Sequence, residues 1–175
     1  MTTDGPAQGV EIERKFLVTR LPADLERHPS QRIEQGYLAV DPDGAVVRLR
    51  RRGADTILTI KAGLGIERAE EELLLDAARF GRLWPLTAGR RVEKVRYAIP
   101  AADGLTIELD VYEGDLHGLV TAEVESDDRA VVEAFEPEPW MRLDLTDDPP
   151  LRKRVARRAR DPGARRDRRA WPPRR

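Results

Sequence analysis

Charged side chains, or in one case a threonine and a lysine, recur at every second position in seven separate segments of this 175-residue chain. The segments are residues 11–15, 48–50, 59–61, 70–72, 94–96, 108–110 and 123–125. In a β-strand, successive side chains point to opposite faces, so residues i and i+2 share one face and the residue between them takes the other. The pattern therefore predicts a series of strands, each with one charged face.

The charges on these faces are grouped by sign. Glu11 and Glu13 make one face acidic, and Arg48 and Arg50 make another basic. Paired carboxylates suit a divalent cation, and paired basic groups suit a polyanion such as a phosphate chain. Buried unpaired ions destabilise a protein, so these charges should line water. A closed antiparallel barrel with a polar tunnel inside and helices packed outside fits this pattern better than an open sheet with one solvated face.

The order of the elements also favours a small barrel. We predict a mainly β (α+β) fold with eight strands, at residues 10–18, 33–40, 45–52, 55–61, 66–75, 92–99, 105–112 and 119–125. Two helices are predicted, residues 76–84 capped by Asp76 and residues 126–135 capped by Ser126. Eight strands are enough to close a small barrel.

The length predicts a single folded domain with two extensions. We expect a disordered N-terminus at residues 1–9, a barrel domain at residues 10–148, and an Arg-rich tail at residues 149–175 that is disordered or partly helical. The chain has no cysteine, and residues 1–9 show neither a signal peptide nor an apolar span. A cytoplasmic protein is therefore expected.

The formal net charge of −1 hides two oppositely charged parts. Residues 151–175 carry 12 Lys and Arg and 2 Asp, which leaves 19 Lys and Arg against 30 Asp and Glu in residues 1–150. We expect the tail to contact anions or the acidic body of the same protein. No series of stacking aromatic residues interleaves with the arginines, so sequence-specific nucleic-acid recognition is not expected.

The ordered set of charged segments resembles the CYTH family, the triphosphate tunnel metalloenzymes, and in particular its bacterial inorganic triphosphatase branch. The matching residues are Glu11-Ile12-Glu13-Arg14-Lys15-Phe16-Leu17-Val18, Gln35-Gly36-Tyr37-Leu38, Val47-Arg48-Leu49-Arg50, Leu58-Thr59-Ile60-Lys61, Arg68 with Glu70 and Glu72, Lys94-Val95-Arg96-Tyr97, Glu108-Leu109-Asp110-Val111-Tyr112 and Ala122-Glu123-Val124-Glu125. The ExExK motif alone is weak, but so many matches in order make coincidence improbable. The resemblance covers residues 10–146, although residues 140–150 lack the Gly, Tyr and Asn of the family's C-terminal pattern.

The resemblance implies a metal-dependent hydrolase that cleaves inorganic triphosphate to pyrophosphate and phosphate inside an eight-stranded tunnel, with Mg²⁺ or Mn²⁺. Carried over onto this chain, the phosphate-binding residues are Lys15, Arg48, Arg50, Lys61, Lys94 and Arg96. The metal ligands, which with Lys15 form the catalytic set, are Glu11, Glu13, Glu123 and Glu125. The supporting acidic residues, whose division between ligands and partners stays open, are Glu70, Glu72, Glu108 and Asp110. Glu123 or Glu125 is the candidate proton acceptor.

Three other functions stay open at this stage. Two are enzymes of the same fold, a class IV-type adenylate cyclase and a thiamine or nucleoside triphosphatase; the third is a different class of function, a polyphosphate-binding module with weak or no turnover. Nothing in the sequence resembles an adenine or thiazolium pocket. Among the aromatic residues, we predict that Trp84, Tyr97, Tyr112 and Trp140 pack on the outer face of the barrel, with Tyr37 near a tunnel mouth.

Overall fold

The computed structural model describes residues 8–41 and 44–147 of the chain. The strands are β1 (Gln8–Val18), β2 (Ser30–Val40), β3 (Val46–Arg52), β4 (Asp55–Ala62), β5 (Glu67–Leu74), β6 (Arg91–Pro100), β7 (Thr106–Tyr112), β8 (Val120–Glu125) and β9 (Met141–Asp144). The helices are α1 (Ala77–Leu83) and α2 (Arg129–Ala134), and the short 3-10 helices are Leu25–Arg27, Trp84–Thr87, Ala102–Gly104 and Gly114–Leu116. Strand β1 includes Gln8 and Gly9. The prediction of disorder at residues 1–9 is therefore wrong for these two residues.

The first eight strands form a closed antiparallel barrel, as predicted. Their order is β5-β4-β3-β2-β6-β7-β8-β1, and β1 also pairs with β5. Strand β1 achieves this closure by dividing its length between two neighbours: residues 8–12 pair with β5, and residues 13–17 pair with β8. A closed barrel leaves no free edge among its strands, and its inner face becomes the wall of a tunnel.

A ninth strand, β9, pairs with β1 and was not predicted. It has only four residues, and three of them are largely solvent-exposed, so its sequence carries little periodic signal. Its placement depends on contacts distant in sequence. Leu145 N–H donates to the Lys15 carbonyl at 2.7 Å, and Lys15 N–H donates to Thr146 Oγ1 at 3.1 Å.

The main apolar core lies outside the barrel wall. The residues between the charged positions of β1, β7 and β8 point outward and pack with α2 and β9; they include Phe16, Leu109 and Val124. Phe16 and Phe135 are in tilted contact, with ring centroids 6.0 Å apart. Each such fully buried side chain stabilises the fold by about 1.5–3 kcal/mol. The core therefore supports the barrel from outside, and the interior is mainly polar, with Ile33, Ile57 and Val92 as buried apolar residues of the inner face.

The N-terminal cap was predicted correctly for one of the two helices and wrongly for the other. Asp76 caps α1 as predicted, accepting a hydrogen bond from Arg79 N–H at 2.7 Å. The prediction of Ser126 as the cap of α2 is wrong, because Asp128 holds that position and accepts from Ala130 N–H at 2.9 Å. Ser126 N–H instead donates to the Ile12 carbonyl, which keeps Ser126 beside β1.

No helix among residues 8–41 and 44–147 is long or apolar enough to cross a lipid bilayer. The Arg-rich tail lies outside the described residues, as do residues 1–7 of the predicted disordered N-terminus.

Gly36 on β2 allows close contact with the 3-10 helix Trp84–Thr87. A Cβ at position 36 would lie 2.5 Å from Thr87 Cβ, and Thr87 is fully buried and cannot move aside. We expect Gly36→Ala to lower the free energy of unfolding by about 1–3 kcal/mol, measured by chemical denaturation. The matched control is Gly81→Ala in α1, where an added Cβ meets nothing within 4 Å and the stability should be unchanged or slightly higher. Equal effects of the two substitutions would contradict this packing.

Candidate active site

The inner face of the barrel carries all of the predicted site residues. Residues paired across an antiparallel ladder share a face, so pairs such as Lys15 with Glu123 and Lys61 with Glu70 lie on the same side of the sheet. The acidic residues of this face are Glu11, Glu13, Glu70, Glu72, Glu108, Asp110, Glu123 and Glu125. Its basic residues are Lys15, Arg48, Arg50, Lys61, Arg68, Lys94 and Arg96.

One group of ion pairs is centred on Glu11. Arg68 Nη2 donates to Glu11 Oε2 at 2.8 Å and also bonds Glu13, while Lys61 bonds Glu11 and lies 3.1 Å from Glu70. All five residues are buried. Each cation thus contacts two carboxylates, which holds the acidic groups of β1 and β5 together.

A second group is centred on Arg96. Its guanidinium donates to both oxygens of Asp110 at 2.7 Å, to Glu123 at 2.8 Å and to Glu108. Asp110 is fully buried and also accepts from Lys94. Because Arg96 has three carboxylate partners, it is well neutralised before any anion enters the tunnel.

These contacts determine which carboxylates are held as anions. Burial alone would raise the pKa of Glu123, but the charges of Lys15 and Arg96 outweigh it and bring that pKa well below its usual range. Asp110 behaves similarly, since Arg96 and Lys94 lower its pKa against the effect of burial. Burial opposes the charge on Lys15, yet Glu123 raises the pKa of that ammonium. Glu123 and Asp110 are therefore anions that partner cations.

The carboxylates of Glu11, Glu70 and Glu125 form a different kind of cluster. One oxygen from each lies within 4.8 Å of the other two, a spacing that could hold a metal ion. Partial burial of its carboxylate, followed by the charge of Glu11, raises the pKa of Glu125 to about 8. Among the residues that the structure describes, Glu125 makes no ion pair. Three crowded carboxylates with hard oxygen atoms fit the ligand preference of Mg²⁺ or Mn²⁺.

Two arginines on β3 are poorly neutralised. Arg48 has no ion pair among residues 8–41 and 44–147, and the shortest such contact of Arg50 is 3.7 Å, to Glu72. The Nε atoms of both side chains are buried without a hydrogen-bond partner. A buried guanidinium with unused donors is costly unless an anion supplies acceptors. Arg48 and Arg50 are therefore the residues of this wall most in need of an anionic ligand.

Comparison with known proteins agrees with this arrangement. The chain is 44% identical over 138 residues to an inorganic triphosphatase of Nitrosomonas europaea, covering 79% of this chain and 90% of that protein. The chain belongs to the CYTH family, the triphosphate tunnel metalloenzymes. A second CYTH relative, an inorganic triphosphatase of Acetivibrio thermocellus, is 32% identical over 145 residues, with 81% and 88% covered. No protein-family model matches the chain.

Solved structures resemble the same part of the chain. A crystal structure of an inorganic triphosphatase aligns with a TM-score of 0.58 at 40% identity, covering 79% of this chain and 88% of that one. A protein of Pyrococcus horikoshii OT3 aligns with a TM-score of 0.53 at 19% identity, covering 85% and 89%. At 19% identity, the second alignment shows similarity of fold only.

The CYTH tunnel contains residues that the sequence analysis did not assign to the site. Arg68 holds Glu11 and Glu13, and its i, i+2 relation to Glu70 was the available signal. The prediction that Tyr112 packs outside is wrong: it pairs with Lys94 across the ladder, and its ring centroid lies 5.7 Å from Lys94 Nζ. Tyr112 is the last residue of the face that carries Glu108 and Asp110, so strict alternation would have placed it inside.

The other aromatic predictions concern the outside of the CYTH barrel. Tyr97 and Trp140 pack against the outer core, as predicted. Trp84 stacks on Phe80 with ring centroids 5.2 Å apart, and Arg91 lies over the Trp84 ring at 4.5 Å. These three rings therefore lie outside the tunnel wall.

Proposed function

We propose that this chain hydrolyses inorganic triphosphate to pyrophosphate and phosphate with the help of Mg²⁺ or Mn²⁺. One observation carries the proposal: among the described residues, a single tunnel holds a cluster of three carboxylates together with Arg48, which has no ion pair, and Arg50, whose ion pair with Glu72 spans 3.7 Å. Two relatives are inorganic triphosphatases, one of them 44% identical. Both halves of this arrangement are needed for a metal-assisted reaction on a phosphate chain.

The basic residues would bind and orient the substrate. Phosphoryl transfer places charge on the nonbridging oxygens, and guanidinium and ammonium groups stabilise that charge without a covalent intermediate. Arg48 and Arg50 can each offer a fork of N–H donors to a phosphate. Lys15, Lys61 and Lys94 add ammonium charges around them. Arg96 lies on the same face, but its ion pairs with three carboxylates leave it less available to the substrate.

The acidic residues divide into two proposed roles. Glu11, Glu70 and Glu125 would hold the metal, which when bound lowers the pKa of a water and polarises the phosphoryl group. Glu13 and Glu123, also predicted as ligands, are proposed here as partners of Arg68 and of Lys15 with Arg96.

Between the two candidate proton acceptors, Glu125 is better placed than Glu123. Glu123 is engaged by two cations, and a carboxylate in such ion pairs is a weak base. Glu125 is solvent-accessible at one end of β8 and lies beside Glu11 and Glu70. We therefore propose that Glu11 and Glu70 are the principal metal ligands, and that Glu125, the exposed member of the cluster, also orients the attacking water and accepts its proton.

A substrate panel tests the proposed function. Phosphate release from tripolyphosphate, ATP, thiamine triphosphate and long-chain polyphosphate would be measured with Mg²⁺ or Mn²⁺, together with cyclic AMP formation from ATP. We expect kcat/KM for tripolyphosphate to exceed that for each other substrate by roughly tenfold or more. Cyclic AMP as the main product would favour a cyclase, and tight polyphosphate binding without turnover would favour a binding module.

Lys94 should make substrate binding depend on pH. Burial, followed by the charge of Arg96, lowers the pKa of Lys94 to about 8. Below that pH the ammonium is charged and attracts phosphate; above it the amine becomes neutral and the attraction is lost. We expect KM for tripolyphosphate to rise by up to about tenfold per pH unit above pH ~8. In Lys94→Arg, whose guanidinium stays charged, this rise should disappear; the same rise in the variant would contradict the assignment.

The remaining expectations concern features beyond the tunnel. Contact of the Arg-rich tail with anions stays a prediction, because the tail lies outside the described residues. The cytoplasmic location also stays a prediction.

A further inference from the structure

Two tyrosines lie at the same end of the tunnel. Strands β2 and β7 are both antiparallel to β6, so they run in the same direction and their C-terminal ends meet one end of the barrel. Tyr37 lies near the C-terminal end of β2 and pairs with Arg48 of β3. Tyr112 is the last residue of β7 and pairs with Lys94. Each phenol thus lies beside a cation that we assign to phosphate binding.

Solvent access to the tunnel differs between its two ends. At the start of β7, the Glu108 side chain is 37% exposed, and at the end of β8 Glu125 is also exposed. Because β7 and β8 are antiparallel, these two residues lie at the same end. At the other end Tyr112 is 5% exposed and Thr121 of β8 is 1% exposed. The end that carries Glu108 and Glu125 is therefore more open to solvent than the end that carries Tyr112 and Thr121.

The covered end also contains buried polar atoms without partners. Gln35 is 3% exposed, and its Nε2 donates to the Tyr37 hydroxyl oxygen at 2.8 Å, but its Oε1 has no hydrogen-bond partner. Thr121 Oγ1 is likewise buried and unpaired. Since Tyr37 accepts from Gln35, its own O–H remains available as a donor. Gln35 Oε1 is an acceptor and cannot bond a phosphate oxygen, but the hydroxyls of Thr121 and Tyr37 are donors that a ligand with acceptor oxygens would satisfy.

We propose that Tyr37 and Tyr112 form an inner wall of the tunnel that limits the bound phosphate chain to three phosphates. The wall rests on the proposed function, and it determines which length of polyphosphate the same site accepts. The terminal phosphate meets the two phenols and the Thr121 hydroxyl, which donate hydrogen bonds to its oxygens. The aromatic rings occupy the space that a fourth phosphate would need.

The chemistry of the wall suits the end of a chain. Phenol and hydroxyl donors add hydrogen bonds without positive charge, whereas Arg48 and Lys94, one ladder pair away, supply the charge. A longer chain would have to place an additional charged phosphate against two aromatic rings. That phosphate would lose its hydration without gaining a cation as partner. Tripolyphosphate should therefore be preferred over tetrapolyphosphate because of a barrier at this end.

The test compares chain lengths. Values of kcat/KM for tripolyphosphate and tetrapolyphosphate would be measured for the unmodified protein, Tyr37→Ala, Tyr112→Ala and the two Phe variants, with outer-face Tyr97→Phe as control. We expect each Ala variant to reduce the preference for tripolyphosphate by roughly tenfold, because it opens space for another phosphate. The Phe variants should keep the preference and raise KM a few-fold, because only the O–H donor is lost.

Binding measurements separate this proposal from the proposed function. Calorimetry in EDTA gives the affinity ratio of the two polyphosphates without turnover. An unmodified protein that binds both but hydrolyses neither would overturn the proposed function alone. Unchanged length preference in folded Tyr37→Ala and Tyr112→Ala, by either readout, would overturn the wall. If Tyr112→Ala fails to fold, Tyr112→Leu retains apolar bulk and should show an intermediate change, whereas an unchanged ratio would count against the wall.

Discussion

Glu11→Gln should abolish most of the turnover of tripolyphosphate while leaving the protein folded. The substitution removes one negative charge from the cluster with Glu70 and Glu125, so the metal loses a strong ligand. We expect kcat/KM to fall by about 10²- to 10³-fold. The fold should survive because Lys61 still contacts Glu70, and Arg68 still contacts Glu13.

Metal titration distinguishes this loss from a general electrostatic effect. In Glu11→Gln the Mg²⁺ concentration that gives half-maximal rate should rise. The matched control is Glu71→Gln, which removes a carboxylate from the outer face of β5 and should leave both rate and metal dependence unchanged. Normal turnover and metal dependence in Glu11→Gln would contradict the assigned metal site, and equal losses in both variants would indicate a nonspecific charge effect.

Arg48→Ala should mainly lower activity and Arg96→Ala should mainly lower stability, although both remove an arginine from the same tunnel face. Arg48 has no ion pair among the described residues, so its loss should lower kcat/KM by roughly 10²-fold with little change in stability. Arg96 neutralises Asp110, Glu108 and Glu123, so its loss leaves buried carboxylates unpaired. We expect Arg96→Ala to lower the free energy of unfolding by about 3–5 kcal/mol.

Two measurements on each arginine variant check this contrast: chemical denaturation for the free energy of unfolding, and initial rates for kcat/KM. Arg48→Lys serves as a control that keeps the charge and loses the planar fork, so its activity should fall between those of the unmodified protein and Arg48→Ala. A large loss of stability in Arg48→Ala would mean that Arg48 has structural partners. An unchanged stability in Arg96→Ala would mean that its ion pairs contribute little.

The barrel and its charged interior could be predicted because they depend on strand alternation. In segments such as 94–96 and 108–110, the charged residues share one face and the residue between them takes the other, and this two-residue period survives in the ladder. Charges that cannot be packed in a dry core then require a solvated interior. The sign grouping of Glu11 with Glu13, and of Arg48 with Arg50, therefore predicted both the fold class and the chemical character of the tunnel.

The remaining features depend on contacts between distant residues. The division of the carboxylates follows from which cation reaches each of them: Lys15 and Arg96 engage Glu123, whereas Glu125 stays without an ion pair in the described part of the chain. Neither fact is visible in the identical local spacing of the two glutamates. The position of Tyr112, in contrast, was predictable, because the alternation that defined β7 also places it inside. It was predicted to lie outside only because aromatic residues commonly pack in an apolar core.

The most direct measurement is phosphate and pyrophosphate release from tripolyphosphate, with Mg²⁺ or with EDTA, for the unmodified protein and the Glu11→Gln/Glu125→Gln double variant, in which Arg68 keeps Glu13 and Lys61 keeps Glu70. We expect equal release of the two products with metal, and almost none in EDTA or in the double variant. Release that continues undiminished in EDTA or in the double variant would contradict a metal-assisted reaction at these carboxylates. An unmodified protein that leaves tripolyphosphate intact with either metal would contradict the proposed activity itself.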